Sequence, residues 1–145
     1  MTRGPDPTTI FKNLGQVTVP YGGQTTQESF HPGVDIAGEI GTPIPAPVGG
    51  TVTKTDGGHV QNENNFGNTV EIKDMEGNTH QFHHLNNINV KPGQQVQPGQ
   101  KVASLGNSGA TYSPSGKGDG ANLDYRIVTA YGKYKNPLTY LNYFK

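Results

Sequence analysis

His31 and Asp35 are the first two residues of this chain whose types and spacing suggest chemistry. They stand four residues apart at the start of the stretch HPGVDIAGEIGTPIPAP, which runs from His31 to Pro47. Because Pro32-Gly33 disfavours a helix, we expect a turn that runs into a strand and brings both side chains towards one point. An imidazole and a carboxylate that converge in this way are suitable ligands for a divalent metal.

The composition indicates one domain of short strands. The chain has 145 residues with 21 glycines, 11 prolines and 30% hydrophobic residues, which suits strands joined by turns better than a helical bundle. Its formal net charge is zero, so nothing points to nucleic acid, and it has no cysteine for disulfides or thiolate sites. No apolar run is long enough for membrane insertion, and the first residues lack the apolar core of a signal peptide.

The elements that must position these residues are predicted to be strands. Residues 68–74 and 79–85 alternate polar and apolar types on either side of the turn at 76–78, which predicts a β-hairpin. The polar, proline-containing residues 1–15 are expected to form an arm or linker, and residues 16–145 the domain.

A further strand is predicted at residues 122–128, with the sequence NLDYRIV. Its alternation puts Asn122, Asp124 and Arg126 on one face of the strand and three apolar side chains on the other. One short helical turn is expected from Asn136 to the C-terminus. Since no long helical period occurs, the predicted class is all-β and antiparallel.

Taken together, these stretches make the chain resemble the M23 (lysostaphin-like) family of zinc endopeptidases, which cut peptidoglycan cross-bridges. The resemblance covers roughly residues 17–141 and implies a curved antiparallel β-sheet of the lysostaphin-like, duplicated hybrid motif type. The stretches that carry it are His31-Pro-Gly-Val-Asp35, Gly41-Thr-Pro-Ile-Pro-Ala-Pro, Gly50-Thr-Val, Phe82-His-His84-Leu, the Pro-Gly-Gln repeats at 92–94 and 98–100, Gly106-Asn-Ser-Gly109 and Asn136-Pro-Leu-Thr-Tyr-Leu141.

The resemblance implies a role for each matching residue. In the family, the His and Asp of an H-x-x-x-D motif bind zinc, which corresponds here to His31 and Asp35. The His of a Y-x-H-L strand assists the reacting water or stabilises the oxyanion, and that position falls on His84. A late strand carries H-x-H, whose first His is catalytic and whose second binds zinc. Here these two positions are Asn122 and Asp124, which become the predicted catalytic residue and third metal ligand.

Both replacements in the late strand change the expected chemistry. Zinc accepts a carboxylate oxygen at roughly 2.0–2.2 Å, so Asp124 is a permissible ligand, although it could instead pair with Arg126. Two carboxylates make the metal a weaker Lewis acid and relax its selectivity towards Mn²⁺ or Fe²⁺. Asn122 can donate a hydrogen bond but cannot exchange a proton near neutral pH. Where the family's His acts as acid or base, its loss costs on the order of 10²–10⁴ in rate.

The other histidines have simpler interpretations. We expect His83 to point away from His84 and to be structural or exposed, because side chains alternate along a strand. His80 shares the face of His84 and is a candidate for lining the cleft. His59 is expected in a solvent-facing turn, and Asp119 is a reserve ligand.

The resemblance thus predicts a peptidoglycan-directed metallo-endopeptidase that hydrolyses cell-wall peptide bonds with a metal-activated water. The expected cofactor is Zn²⁺ or another dication such as Mn²⁺, and the expected partner is peptidoglycan peptide. The setting would be extracellular, at the cell wall, or in a phage tail or virion together with other tail proteins. Loss of both H-x-H histidines favours an alternative: a catalytically inactive module that binds peptidoglycan or has a structural role. A biotinyl/lipoyl-type carrier is set aside, because no lysine occupies a hairpin tip between small or apolar residues.

Overall fold

A computed structural model of the chain describes residues 14–23, 30–63, 65–111 and 119–137. Within these ranges the fold consists of β-strands, as predicted, and no helix there is long and apolar enough to cross a membrane. The strands are β1 (Gln16–Val19), β2 (Val34–Ala37), β3 (Pro43–Pro45), β4 (Gly50–Asp56), β5 (Asn68–Lys73), β6 (Thr79–Ile88), β7 (Gln95–Val96), β8 (Lys101–Leu105), β9 (Asn122–Val128) and β10 (Tyr134–Lys135).

The strands form one antiparallel sheet whose centre carries the candidate residues. The order along its main path is β1-β2-β9-β6-β5-β4-β7, while β10 pairs with β9, and β8 pairs with both β3 and β6. The predicted hairpin is confirmed as β5 and β6. Asp74 organises its turn, because one carboxylate oxygen accepts hydrogen bonds from the backbone amides of Glu76 and Asn78.

The register of the three central strands sets up the site. Asp35 on β2 lies opposite Asp124 on β9, and Asp124 lies opposite His83 on β6. Residues directly opposite one another on neighbouring strands have side chains on the same face of a sheet. The sheet therefore presents Asp35, Asp124 and His83 as one row.

The apolar side of β9 confirms the predicted alternation. Leu123, Tyr125 and Ile127 have no exposed surface and belong to the hydrophobic core. Each buried aliphatic or aromatic side chain of this kind contributes roughly 1.5–3 kcal/mol. The core therefore holds β9 in register, with its polar residues on the other face.

The first and last described residues can be compared with the predicted arm and the predicted C-terminal turn. Leu14 is buried in the core although the predicted arm extends to residue 15, so packing begins at least as early as Leu14. The rest of the predicted arm lies outside the described residues. Pro137, the last described residue, is helical, and the rest of the predicted C-terminal turn lies outside the described residues.

Candidate metal centre

Three side chains meet where β2 and β9 pair. His31 lies in the turn before β2, Asp35 lies in β2 and Asp124 in β9. One ligand atom from each of the three lies within 4.8 Å of the other two. The converging turn predicted for His31 and Asp35 is present, with His31 Nε2 3.0 Å from Asp35 Oδ1. Asp124 joins them, with its Oδ1 4.0 Å from the same nitrogen.

The donor set fits a small dication. Ligands placed about 2.1 Å from a tetrahedral zinc ion are roughly 3.4 Å apart, and the distances of 3.0 and 4.0 Å lie on either side of this value. His31 and Asp124 are buried, whereas the Asp35 side chain is 21% exposed, so the cluster meets solvent on the Asp35 side. Burial raises the pKa of Asp35, and the hydrogen bond with His31 partly opposes this effect.

Asp124 also pairs with Arg126, which is the alternative to metal binding that the sequence allowed. Arg126 Nε donates to Asp124 Oδ1 at 3.0 Å, and a terminal guanidinium nitrogen donates to Oδ2 at 2.8 Å. Burial alone would raise the pKa of the Asp124 carboxyl, but the Arg126 guanidinium holds it below its ordinary value. Asp124 is therefore a carboxylate that faces His31 and is bound by an arginine fork at the same time.

His84 is held in an unusual backbone conformation. Its φ is +65°, and its amide donates to the Phe66 carbonyl. Its Nδ1 lies 2.8 Å from the Ser108 carbonyl oxygen, which can only accept, so Nδ1 carries the proton. In the neutral ring, Nε2 then has a lone pair that can accept a proton, as required of a base.

Asn122 lies at the start of β9, opposite Ala37 of β2. Its side-chain nitrogen donates to the Gly120 carbonyl at 2.8 Å, so part of its hydrogen-bonding capacity is used in the adjoining loop. Its catalytic role stays a prediction.

Two predicted side-chain directions are wrong. His80 does not share the side of the sheet with His84, and His83 does not point away from it, although His83 is buried and structural, as one part of the expectation allowed. His80 is fully buried on the core side, with Nε2 2.9 Å from Asp74 Oδ2 and Nδ1 2.6 Å from the Tyr125 hydroxyl. His83 lies in the row beside Asp124, where Phe66 stacks on its ring at a centroid distance of 4.2 Å.

A register shift explains both errors. The pairing of β5 with β6 slips between Val70 opposite Phe82 and Asn68 opposite Leu85, and His84 takes its positive φ within this bulge. A bulge breaks simple alternation and re-aims side chains, so His83 and His84 become neighbours, with ring centroids 6.5 Å apart.

Two further residues lie apart from the cluster. The Asp119 carboxylate accepts the Ala121 backbone amide at 3.0 Å. His59 sits between Asp56 and Glu63, at 2.9 and 2.7 Å, and these hydrogen bonds raise its pKa. Sequence reasoning missed Phe66, which lies beside the site. A single phenylalanine after a polar loop carries no pattern that would connect it to the other site residues.

A cavity of about 300 Å³ opens beside the row. His83 and Arg126 form part of its wall, together with Lys54, Glu71 and Gln81. The site therefore adjoins a polar cleft of mixed charge.

Comparison with known proteins gives consistent matches. The sequence profile of Peptidase family M23 matches residues 29–137, three quarters of the chain. The chain is 34% identical over 113 residues to a Lipoprotein NlpD/LppB homolog of Pseudomonas aeruginosa, with 78% of this chain and 34% of that protein covered. It is 38% identical over 106 residues to Peptidoglycan DD-endopeptidase ShyA of Vibrio cholerae, with 72% and 21% covered. The chain thus spans about a third or less of the length of these relatives.

The fold also matches a solved structure. The antimicrobial peptidase lysostaphin from Staphylococcus simulans superposes with a TM-score of 0.72 and 25% sequence identity, covering 93% of this chain and 53% of that one. The predicted lysostaphin-like antiparallel sheet is confirmed.

Proposed function

The chain belongs to peptidase family M23, and on that premise we propose that it is a peptidoglycan-directed metallo-endopeptidase domain with a rewritten third-ligand strand. One observation carries the proposal: His31, Asp35 and Asp124 bring three metal-ligating atoms within 4.8 Å of one another. These residues would hold Zn²⁺ or a similar dication such as Mn²⁺. When bound, the dication supplies a Lewis acid that polarises the scissile carbonyl and activates water.

His84 is the residue proposed to handle the proton. Because the Ser108 carbonyl fixes the proton on Nδ1, Nε2 can accept a proton from the attacking water. Asn122 would contribute a hydrogen bond to developing negative charge, within the limits set by its contact with Gly120. The substrate would be a peptide of peptidoglycan, as the name of the 38% identical Vibrio cholerae relative states for that protein.

The second candidate function is a non-catalytic module that binds peptidoglycan. The observation that favours it is Asn122, which replaces the first H-x-H histidine and cannot transfer a proton. Either function places the domain at the cell wall. Assembly into a phage tail or virion remains a prediction.

Hydrolysis of purified peptidoglycan tests the proposal, and the new amino groups released by peptide-bond cleavage measure its rate. The chain loaded with Zn²⁺ or Mn²⁺ should release product, and His84→Ala should reduce the rate by about 10²-fold or more. His59→Ala is the matched control, because it removes a histidine outside the cluster, and its rate should equal that of the native chain. Binding to insoluble peptidoglycan in the presence of a chelator, with no product from any loaded chain, would reject the enzyme in favour of the binding module.

A further inference from the structure

Asp124, a member of the cluster, forms a buried ion pair with Arg126. Both oxygens of Asp124 accept from the Arg126 guanidinium, and the two residues are 4% and 5% exposed. A two-point contact of this kind fixes the orientation of both planar groups. An arginine remains charged at every pH at which the protein is folded, so its positive charge is a permanent feature of the site.

The surroundings are shaped to keep Arg126 in place. A Cβ on Gly33 would lie 2.6 Å from Arg126 Cγ, so only glycine in the turn before β2 leaves room for the arginine stem. The ring of Phe66 lies against the guanidinium, with Cζ of Arg126 4.7 Å from its centroid, within the range of a cation–π contact. Arg126 is therefore held by the carboxylate, and it packs against the turn and the aromatic ring.

The net charge of the ligand set gives a reason for an arginine beside Asp124. A neutral imidazole as third ligand adds no charge to a centre, whereas an aspartate adds one negative charge. The Arg126 guanidinium adds one positive charge directly behind that aspartate. His31, Asp35 and the Asp124–Arg126 pair together carry the same net charge as a His-Asp-His set.

We propose that Asp124 and Arg126 act together as one neutral ligand, in which the charge of Arg126, held against Asp124, lowers the affinity of the site for dications. The inference rests on the proposed function, since it takes His31, Asp35 and Asp124 as the metal ligands. The fork occupies two of the four acceptor positions of the carboxylate, so Asp124 retains lone pairs towards His31.

The direction in which metal affinity changes when Arg126 is replaced separates this electrostatic role from that of a residue that only orients Asp124. Removal of a residue that merely orients a ligand lowers metal affinity by about 10–100-fold. Removal of Arg126 should instead raise the affinity, because a buried, poorly screened positive charge beside the dication disappears. We expect Arg126→Gln to bind zinc at least about tenfold more tightly than the native chain.

The experiment is a zinc titration of the chelator-treated chain in competition with a chromophoric chelator, with folding verified by circular dichroism. Arg126→Lys keeps the charge without the fork, and its affinity should stay within about threefold of the native value. Lys54→Gln is the matched control, because it removes one positive charge from the wall of the same cavity without touching Asp124. The zinc affinity of Lys54→Gln should also stay within about threefold of the native value. If Arg126→Gln does not fold, Phe66→Ala, which admits water to the guanidinium from the surface, should raise the affinity by a smaller factor.

The outcomes distinguish this inference from the proposed function. Zinc binding that is tighter in Arg126→Gln than in the native chain supports the inference, including the case in which only the variant binds. That last case would at the same time count against the native chain as a metalloenzyme. Equal or weaker binding in Arg126→Gln overturns the inference and leaves the proposed function standing. No zinc binding by the native chain or by any variant overturns both.

Discussion

His83 should make the metal-free chain lose stability as the pH falls. Burial lowers its pKa from 6.5 to about 4, and the charge of Asp124 only partly offsets this. The unfolded chain then binds the proton more tightly than the folded chain. The contribution of His83 to stability is therefore complete above pH 6.5 and is lost as the pH falls towards 4. At about 1.4 kcal/mol per pH unit, the loss between pH 7 and pH 4 is about 3 kcal/mol.

His83→Gln tests this value, since glutamine still offers a hydrogen-bonding group to Thr69 but does not titrate. Urea unfolding in the presence of a chelator would give the free energy of unfolding at several values between pH 7 and pH 4.5. Near pH 5 the slope of that free energy against pH should be smaller in the variant by about 1.2 kcal/mol per pH unit. A residual slope is expected in both chains, because burial also lowers the pKa of His80.

His59→Gln provides the control with the opposite sign. Hydrogen bonds to Asp56 and Glu63 raise the pKa of His59, so its contribution is present below pH 6.5 and is lost at higher pH. Its replacement should not reduce the loss of stability in acid. Equal losses in the native chain and His83→Gln between pH 7 and pH 4.5 would refute the assignment of the buried, neutral state to His83.

Two further substitutions test the packing that supports the site. Gly67→Ala should cost roughly 2–4 kcal/mol, because φ is +68° and the new Cβ would lie 2.4 Å from a backbone atom. Gly58→Ala has φ +84° with open space around it, so thermal unfolding should show a smaller loss. Tyr125→Phe should cost about 1–3 kcal/mol in urea unfolding, because its hydroxyl is a partner of buried His80. Tyr131→Phe, on an exposed ring, should leave the unfolding midpoint unchanged, and an equal effect of both would contradict the prediction.

Regular parts of the fold could be predicted because local chemistry and burial agree there. The hairpin of β5 and β6 follows from alternation around a turn whose glycine has φ +85°. On β9, one face is apolar and completely buried, so the sequence period fixes which side Asp124 takes. The turn that contains His31 is enough to anticipate that His31 and Asp35 lie near one another. The place of Asp124 beside them was implied only by the family resemblance, because alternation along β9 does not show that this strand pairs with β2.

The positions of the histidines on β6 could not be predicted in the same way. The expectation for His83 and His84 assumed an unbroken period of two, but the strand contains a bulge at which His84 takes a positive φ. Such a conformation is uncommon outside glycine, and it depends on a long-range contact, the hydrogen bond of the His84 amide to the Phe66 carbonyl. Phe66 reaches the site only through the loop between β4 and β5, which has no periodic pattern.

The late strand shows that the ion pair of Asp124 with Arg126 does not by itself exclude Asp124 as a metal ligand. Residues two apart on a strand share a face, so Asp124 and Arg126 can form a fork without leaving β9. A carboxylate has about four acceptor positions, and the fork uses two of them. His31 faces the same carboxylate at 4.0 Å, so one side chain serves both contacts. If Asp124 is the third ligand, as proposed, its negative charge must be considered together with the positive charge of Arg126, and the weaker Lewis acid expected from Asp124 alone does not follow for the pair.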